Sequence, residues 1–384
     1  MEILREFVFG IGTILCLPSA FLLLEVVAGM LKRGKVQPAS QQAAPSAVLL
    51  IPAHNEQALL GEMLERLKGV DCENLRTVVI ADNCTDDTAD IARAAGVEAW
   101  ERSHDSDRGK PYALAWALQR LKDQPPEVVV FMDADSWFEQ GSPADLAREV
   151  VAHNRPVQAI YRMADAGLRG FAFRFRNEVR LRGLAALGAP VQLTGSGFAI
   201  SWADLQKYPV PIGESAEDAC WGWALTAAGI GPRLAKEVEV LSYLPSSKEG
   251  AQTQLRRWEH GILGATLRKL PMLLRSAFLP PRLSRIFHLA DILVPPLALL
   301  VLLSVGFAVL GLLLGSGWLA LPAVIALALT ACAVFSGWLG YGREDVPLSK
   351  LLTAPFYALG KIGVYASFIF KRQQGWQRTD RDDD

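Results

Sequence analysis

Two carboxylates stand one residue apart in the stretch EVVVFMDADS, at Asp133 and Asp135, directly after an apolar run. Two ionised groups this close repel each other unless a positive group lies between them. Alternate residues of an extended chain point to the same side, so we expect both carboxylates on one face with Ala134 turned away. Mg²⁺ or Mn²⁺, bound by one or two carboxylates and by phosphate oxygens of a substrate, would fit such a pair. The alternative is a pair that only caps the following turn.

Three further positions carry groups suited to a phosphorylated ligand. Asp82 ends the apolar run TVVIAD, where a carboxylate can accept hydrogen bonds from a base or from ribose hydroxyls. Lys110 opens a predicted helix in RGKPYAL, and positive charge at a helix start favours phosphate. Gly195 and Ser196 interrupt the stretch PVQLTGSGFAI, and glycine within a strand lets a ligand approach the backbone closely.

Two motifs nearer the C-terminus complete the set of candidate residues. Glu217 and Asp218 begin an apolar helix in ESAEDACWGWAL, where a plain acidic N-terminal cap is the alternative, above all for Glu217. Gln254, Arg257 and Trp258 belong to QLRRWEHG, on a helix that leads toward apolar segments. An Arg/Trp belt at a membrane interface is the alternative for these three residues.

Charge and cysteine content exclude several functions. The chain of 384 residues has 39 Lys and Arg against 40 Asp and Glu, so no overall basic field favours nucleic acid as a partner. The five cysteines show neither a C-x-x-C pair nor a spacing suited to zinc, which predicts reduced thiols in a cytosolic domain. Half of the residues are hydrophobic, at 51%, and the excess lies at the two ends of the chain.

The middle of the chain alternates short apolar runs with helical patterns, which predicts an α/β fold with a mainly parallel sheet and helices on its faces. Ligands bind beyond the carboxyl ends of the strands in such sheets. The polar clusters PAHNE, DNCTDDT and DADS each follow a predicted strand, so they are expected at one edge. Strands are predicted at 47–51, 77–81, 97–100, 127–132 and 157–161, and helices at 57–68, 86–95, 110–122 and 142–153.

The N-terminal stretch from Phe7 to Leu31 is long enough to cross a bilayer, which takes roughly 20 apolar residues. Lys32, Arg33 and Lys35 follow the stretch rather than precede it, and no clean cleavage site is present, so a signal peptide is disfavoured. Positive residues on the trailing side predict that the middle domain is cytoplasmic.

Two further apolar stretches, 289–315 and 317–341, predict a transmembrane hairpin whose outer ends lie on the side of the middle domain. The stretch 351–370 carries Lys361 near its centre and is predicted to be interfacial or re-entrant rather than spanning. Residues 262–279 mix apolar and basic side chains and are expected to lie along lipid headgroups. The basic helix 168–183 is predicted to present a solvated face, with headgroups or an acceptor as the alternative partner.

These patterns predict six regions along the chain. They are an N-terminal transmembrane helix (1–35), a linker (36–46), a cytoplasmic domain (47–261), an interfacial helix (262–285), a transmembrane hairpin (286–341), and an interfacial or re-entrant helix with a basic tail (342–384).

In this order, the motifs PAHNE, ADNCTDD, DAD, TGSGF, ED and Q-x-x-R-W, followed by membrane helices, resemble the membrane-bound family-two glycosyltransferases. That group includes cellulose, chitin-oligosaccharide and hyaluronan synthases and the ceramide glucosyltransferases. The resemblance implies a GT-A fold and an inverting transfer from a UDP-sugar. Inversion needs one displacement and no covalent enzyme intermediate, and no Cys or Ser nucleophile is evident in the sequence.

The resemblance also implies a role for each matching residue. It makes Asp218 the general base, with Glu217 beside it as the second catalytic candidate, and it gives the metal to the two carboxylates described first. The donor contacts that it implies are made by Glu56, Asp82, Lys110, Asp133, Gly195 and Ser196, and by the diphosphate and acceptor-entrance residues Gln254, Arg257 and Trp258.

The sequence predicts fewer membrane helices than the large polysaccharide synthases have. A single copy of this chain is therefore not expected to secrete a long polymer. A polysaccharide, polyprenyl-linked or lipid acceptor is expected at the cytoplasmic face of the inner (plasma) membrane, with export or polymerisation partners for a polymer product. Two alternatives stay open. One is the transfer of a single sugar to a membrane lipid of the ceramide or hopanoid kind. The other is a non-catalytic, nucleotide-binding assembly subunit.

Overall fold

The computed structural model of the protein describes residues 1–32, 43–165, 167–243 and 248–370. The described chain divides into two compact units. The sheet unit contains residues 43–164, 190–243 and 248–251, and the helical unit contains residues 1–32, 165, 167–189 and 252–370. Most of the predicted linker 36–46 and all of the basic tail 371–384 lie outside the described residues.

Eight strands form one sheet in the described part of the sheet unit. Their bounds are β1 Ala47–Ala53, β2 Leu75–Asp82, β3 Glu98–Arg102, β4 Val128–Phe131, β5 Ser136–Gln140, β6 Val157–Met163, β7 Phe198–Ser201 and β8 Arg233–Ser242.

The helices of both units, numbered in chain order, are α1 Glu2–Leu31, α2 Gln57–Leu67, α3 Thr88–Ala94, α4 Lys110–Arg120, α5 Pro143–His153, α6 Leu168–Arg174, α7 Arg180–Ala186, α8 Trp202–Lys207, α9 Glu217–Ala227, α10 Lys248–Phe278, α11 Leu283–Ile292, α12 Leu297–Leu313, α13 Gly317–Tyr341, α14 Leu348–Leu351, α15 Ala354–Leu359 and α16 Ile362–Phe370. A short 3₁₀ turn, Leu121–Asp123, follows α4, and a π-helical stretch, Phe175–Val179, joins α6 to α7.

The strand order β3-β2-β1-β4-β7-β6-β8-β5 confirms the predicted α/β fold with a mainly parallel sheet. Strands β1 to β4 are mutually parallel, whereas β7 runs antiparallel to both of its neighbours, and β5 runs antiparallel to β8. The five predicted strands are present with bounds close to those expected. Strands β5 and β8 carry charged residues within short apolar patterns and were not predicted.

The predicted strand at 190–200 is reduced to β7, which begins only at Phe198. The reason is the backbone of the glycines before it, since Gly195 has a φ of 92° and Gly197 a φ of 69°. Those angles lie in the left-handed region and cannot continue a β-strand. The stretch therefore becomes a turn that leads into the sheet.

Three aromatic side chains connect the segments around that turn. The rings of Phe131 and Phe198 stack at 4.7 Å, and Trp221 of α9 meets both rings edge-on at 5.5 and 5.9 Å. The Trp221 indole nitrogen donates to the Tyr208 carbonyl oxygen at 2.9 Å. Buried aromatic clusters add about 0.5–1.5 kcal/mol per pair beyond area burial. The cluster therefore fixes the end of β4, the start of β7 and the first turns of α9 with respect to one another.

Two helices among the described residues, α1 and α13, are long and apolar enough to cross a membrane. A third span exists only if α11 and α12 are taken together, and this pair is bent by 73°. The predicted span 289–315 is therefore not one helix. Pro295 and Pro296 stand in the break, and proline lacks the N–H that would continue the helix.

Small residues bring the long helices of the helical unit together. A Cβ placed on Gly12 would lie 3.1 Å from the backbone nitrogen of Ala323, and one on Gly311 would lie 2.6 Å from that of Ala320. Close backbone approach of this kind is how apolar helices pack without large side chains between them. These contacts pack α13 against both α1 and α12.

Only some arginines of the basic stretch 168–183 lie on a solvated face, which was the face predicted for this helix. Arg180 donates to Glu25 at 2.7 Å and to Asp291 at 2.5 Å, so it joins α7 to α1 and α11. Arg174 and Arg182 both bind Glu178, at 2.8 and 3.0 Å. The remaining arginines, Arg169 and Arg176, are exposed.

Candidate functional site

Four polar loops meet at one edge of the sheet. Strands β1, β2 and β4 are parallel, so the segments after Ala53, Asp82 and Phe131 all leave at their carboxyl ends. Strand β7 runs the other way and pairs Phe198 with Phe131, so the Gly195–Gly197 turn enters at the same edge. The sheet thus assembles the predicted clusters by its topology, as expected for ligand sites in α/β folds.

The Asp133–Asp135 segment is a turn and not the extended chain that was predicted. The backbone nitrogen of Ser136 donates to the carbonyl oxygen of Asp133 at 3.1 Å, and that of Asp133 donates to the Ser196 hydroxyl at 3.1 Å. The prediction failed because β4 ends at Phe131, two residues before the first carboxylate. The two aspartates nevertheless influence the same side chain. The pKa of Tyr161 is raised, mainly by burial and further by the negative charges of Asp135 and Asp133.

Lys110 joins the first aspartate to the glycine turn. Its ammonium donates to Asp133 Oδ1 at 2.5 Å and to the Gly195 carbonyl oxygen at 2.6 Å. Burial disfavours the charge of Lys110, but Asp133, Glu217 and Asp218 outweigh burial and raise its pKa. A cation that stays charged beside three carboxylates keeps the cluster stable and offers positive charge to an anionic ligand.

Gly195 allows two carboxylates to approach the turn. A Cβ on this residue would lie 3.4 Å from Asp218 Oδ2 and 4.0 Å from Asp133 Oδ2. The two aspartates, predicted from separate motifs, therefore lie around the same backbone position. Lys110, Asp133, Gly195, Ser196 and Asp218 form what we call the carboxylate cluster, and Glu217 adjoins it.

Glu217 carries an unusual proton affinity. Burial and the neighbouring charge of Asp218 raise the pKa of Glu217 to about 7, against an ordinary value of 4.5, while Lys110 partly opposes the shift. A carboxyl that takes up and releases a proton near neutral pH is suited to acid–base chemistry.

The predicted base-binding residue Asp82 lies at the carboxyl end of β2 and is almost fully buried. Its Oδ1 accepts from Arg102 at 2.5 Å and from the Asn83 amide at 3.1 Å. His54 Nδ1 lies 2.7 Å from the Asp82 carbonyl oxygen, which ties the loop after β1 to β2. Arg102 was not predicted, although it ends the next parallel strand, β3, and so follows the same rule as Asp82.

Glu56, the other predicted nucleoside residue, lies at the N-cap of α2. Its backbone nitrogen donates to Thr88 Oγ1 at 2.9 Å, and the preceding Asn55 accepts from the Thr85 backbone nitrogen at 2.8 Å. The loops after β1 and β2 are therefore joined. Glu56 and Asp82 share the sheet edge of the carboxylate cluster by strand topology.

The remaining predicted residues lie in the helical unit. Gln254, Arg257 and Trp258 are on α10, within the part of that helix that belongs to the helical unit. Gln254 is buried, and the Trp258 ring lies 5.8 Å from that of Phe173. Their role toward a diphosphate or an acceptor stays a prediction.

The supply of metal ligands is small. Across the described ranges no three His, Cys, Asp or Glu side chains form a group that could hold a metal ion. Asp133 and Asp135 are two hard oxygen donors on one turn, and the charges of both contribute, after burial, to the raised pKa of Tyr161. This supply fits Mg²⁺ or Mn²⁺, which take one or two carboxylates and complete their coordination with substrate phosphate and water.

Residues 48–181 match the model of glycosyl transferase family 2. The match supports the predicted family for this part of the chain. A second comparison finds 31% identity over 102 residues to an uncharacterised protein of Methanocaldococcus jannaschii. The chain spans only 39% of the length of that relative, and the matched residues make up 27% of the present chain.

Among solved structures, the chain is similar to a mannosyltransferase from Pyrobaculum calidifontis in complex with GDP-Man and Mn²⁺. The match has 18% identity and a TM-score of 0.61 and covers 95% of this chain and 100% of the other. It confirms the predicted GT-A-type fold. Glucosyl-3-phosphoglycerate synthase from Mycobacterium tuberculosis, solved with Mn²⁺ and UDP, matches 60% of this chain and 86% of its own at 18% identity and a TM-score of 0.42.

Proposed function

We propose that the protein is an inverting glycosyltransferase that moves a sugar from a UDP-sugar to an acceptor at a membrane. The observation that carries the proposal is the carboxylate cluster, in which Asp133, Lys110 and Asp218 surround the Gly195 turn within hydrogen-bond or contact distance. The family-2 match over residues 48–181 supports the same reaction class. Two carboxylates for a cation, a lysine for phosphate and a carboxylate for an acceptor proton are the groups that this reaction requires.

The leaving group of such a transfer is a nucleoside diphosphate, whose charge grows as the glycosidic bond breaks. A divalent cation bound at Asp133 and Asp135 would neutralise part of that charge. Lys110 contributes a second positive group, since its raised pKa keeps it charged at neutral pH. Fixed positive charge aimed at a developing negative charge is often the largest contribution to catalysis. Asp82, held by Arg102, would accept a hydrogen bond from the base.

The acceptor hydroxyl must lose a proton as it attacks the anomeric carbon. Asp218 is the proposed general base because it lies at the Gly195 turn, where the donor backbone contact is expected. Glu217, which adjoins this residue, would bind or release a proton near neutral pH, given its pKa of about 7. Attack from the face opposite the diphosphate inverts the configuration in one displacement, so an α-linked donor gives a β-linked product.

A bilayer location is part of the proposal. It is supported by α1 and α13, by the positive residues that follow α1 in the sequence, and by exposed apolar side chains such as Leu267 and Phe356 on helices that do not span. We place the sheet unit on the cytoplasmic side of the inner membrane, with 262–285 and 342–370 at the interface. Gln254, Arg257 and Trp258 are assigned to the diphosphate and the acceptor entrance.

The test is a panel of UDP- and GDP-sugars incubated with the protein in membranes, with release of the nucleoside diphosphate as the readout. GDP-sugars are included because the Pyrobaculum relative was solved with GDP-Man. We expect release with a UDP-sugar, dependent on Mg²⁺ or Mn²⁺ and abolished when Asp133 and Asp135 are both changed to Asn. The proposal would be overturned if no nucleotide-sugar in the panel gave release of the nucleoside diphosphate. It would also be overturned if nucleotide binding did not change on addition of the cation or on substitution of both aspartates.

Product analysis with a radiolabelled donor separates the acceptor classes. A ladder or a high-mass product indicates extension of a polysaccharide or of a polyprenyl-linked sugar, with export or polymerisation partners in the cell. One product that partitions into organic solvent indicates transfer of a single sugar to a membrane lipid.

A further inference from the structure

The motif helix α10 carries two buried polar residues directly after Trp258. Glu259 is 8% and His260 3% exposed. Both bind one short stretch near the C-terminal end of the described chain, residues 354–368 of α15 and α16, which we call the backing segment. Buried polar groups require partners, so two successive ones on a helix define a specific docking face.

The contacts to Glu259 are charged and hydroxylic. Lys361 donates to Glu259 Oε1 at 2.9 Å, and the Tyr365 hydroxyl donates to Glu259 Oε2 at 3.3 Å. Both carboxylate oxygens are therefore engaged by the backing segment. The side chains of Lys361 and Glu259 are only 12% and 10% exposed, which makes the pair a buried one.

His260 adds a second point of attachment. Its Nε2 lies 2.9 Å from the Val364 carbonyl oxygen, and its ring meets that of Phe368 at 5.3 Å. Leu263, one turn beyond Glu259, packs with Ala358 and Tyr365 in an apolar cluster that also includes α12 residues. The attachment thus combines an ion pair, hydrogen bonds and apolar packing.

These contacts lie on the side of α10 that faces away from the motif. At about 100° per residue, Gln254, Arg257 and Trp258 fall within an arc of roughly 100°. On the same count, Glu259, His260 and Leu263 fall on an arc centred on the opposite side of the helix. The backing segment therefore contacts α10 on the side opposite to the motif residues.

We propose that Glu259 and Lys361 are positioning residues for Arg257 and Trp258, and that the backing segment fixes the rotation and the register of α10 for sugar transfer. This inference rests on the proposed glycosyltransferase function. A rotation or a one-residue slip of α10 would leave Glu259 and Lys361 buried without partners, so the pair selects one placement of the helix. Apolar packing at Leu263 alone would not discriminate between neighbouring registers to that degree.

The experiment uses the full-length protein in nanodiscs with the variants Lys361→Met, Lys361→Arg and Glu259→Gln. Lys350→Met is the matched control, since Lys350 is exposed in the same C-terminal region. Hydrogen exchange of peptides from 252–265 reports α10 without any need for activity. Steady-state transfer gives kcat and the KM for the donor.

We expect Lys361→Met and Glu259→Gln to speed exchange in 252–265 about tenfold, because local opening becomes easier there. We expect kcat to fall about tenfold or more, because misplaced groups lose the attack geometry. The donor KM should rise as well, because Arg257 is one of the residues assigned to the diphosphate of the donor. Lys361→Arg and Lys350→Met should match the wild type in both readouts.

The inference would be overturned if Lys361→Met had the same hydrogen exchange in 252–265 and the same kcat as the wild type. It would also be overturned if exchange became faster to the same extent in α1 and α13 as in α10. If the single variants do not fold, the double variant Glu259→Lys with Lys361→Glu, which exchanges the two charges, is the deciding test. Recovered folding and recovered protection of α10 from exchange would support the role of the pair, and failure to recover them would refute it. If no donor is turned over by the wild type, the proposed function fails while the exchange result still tests the placement of α10.

Discussion

Each unit of the protein contains two or more carboxylates around one basic side chain, and the two groups differ in almost every other respect. In the sheet unit, Lys110 pairs with Asp133, and these side chains are 22% and 31% exposed. In the helical unit, Arg180 lies between Glu25 and Asp291, and these two carboxylate side chains are 0% and 5% exposed. The first group is open to a ligand, whereas the second is closed.

The type of basic side chain in each group, arginine or lysine, matches this difference. Arginine presents a planar set of donors that holds two carboxylates in fixed directions, as Arg180 does through its Nε and Nη2 atoms. Lysine is a compact charge on a flexible stem, and Lys110 binds one carboxylate and one carbonyl oxygen. We infer that the closed group stabilises the packing of α1, α7 and α11 and that the open group binds and transforms substrate.

The largest expected effect is on catalysis by the open group. Asp218→Asn removes the proposed general base, and we expect kcat to fall about 10²–10⁴-fold, the usual contribution of general base catalysis. Binding of UDP, measured by calorimetry, should be retained. Asp123→Asn, an exposed substitution of the same type, is the control. Unchanged cellular function in Asp218→Asn would favour the non-catalytic assembly subunit.

The next prediction compares the two basic side chains, Arg180 and Lys110, directly. Arg180→Met leaves Glu25 and Asp291 buried without their cation, and breaking a buried pair in this way costs about 3–5 kcal/mol. We expect a large drop in the thermal melting temperature in detergent. Lys110→Met should lower it less, because water reaches that cluster, and should instead reduce kcat/KM for the donor by about tenfold or more.

Arg176→Met is the control for Arg180→Met, because Arg176 is exposed on the same basic stretch. Equal stability losses in Arg180→Met and Lys110→Met would contradict the division into a structural and a functional group.

A smaller effect is expected at the glycine turn. Gly195→Ala forces a side chain onto a backbone with a φ of 92° and places a methyl group 3.4 Å from Asp218 Oδ2. The left-handed conformation costs about 1–2 kcal/mol, and we expect kcat to fall as well because the methyl group takes space beside Asp218. Enzyme assays and thermal melts measure the two losses.

Gly96→Ala separates the two causes, because Gly96 also has a positive φ, 80°, but a Cβ there would meet nothing within 4 Å. It should lose stability and keep its activity. A similar loss of activity in both variants would show that the space beside Asp218 does not matter.

The last prediction concerns a pH dependence of stability. Glu217 has a pKa of about 7 in the folded protein, above its ordinary value of 4.5, so the folded state holds this proton more tightly than the unfolded state does. The contribution of Glu217 to stability therefore falls as pH rises from about 4.5 to about 7 and then stays level. Thermal melts of Glu217→Gln should match the wild type near pH 4 and exceed it at pH 8. A constant difference across that range would contradict the raised pKa.

Much of the sheet unit was predictable because its information is local. The strands β1, β2, β4 and β6 are apolar runs, and the polar residues that end them, such as Asp82, mark the ligand edge. The turn at Asp133–Asp135 was not predictable, because the length of β4 depends on its neighbours β1 and β7. Arg102 and Tyr161 were missed since neither stands in a motif, and only the pairing of strands brings them to the site.

In the helical unit the sequence predicted apolar helices but not their breaks or their polar contacts. The sequence shows two prolines before Leu297, but the continuous hydropathy of 289–315 led to the prediction of one straight span. The structure instead has a bend of 73° at these prolines. The basic stretch 168–183 showed its charges but not their partners, because Glu25 and Asp291 lie more than a hundred residues away along the chain.

The sequence by itself determined the alternation that makes an α/β sheet, the long apolar helices and the identity of the acidic, basic and glycine residues that could act on a nucleotide-sugar. Those features depend on periodicity and residue type, which act over a few residues. Only the tertiary structure decided that Lys110 meets Asp133 at Gly195, that Asp218 lies beside the same turn, and that Lys361 supports α10 through Glu259. Such pairings depend on strand order and helix packing, because a contact between distant residues is fixed by the whole fold and not by either residue alone.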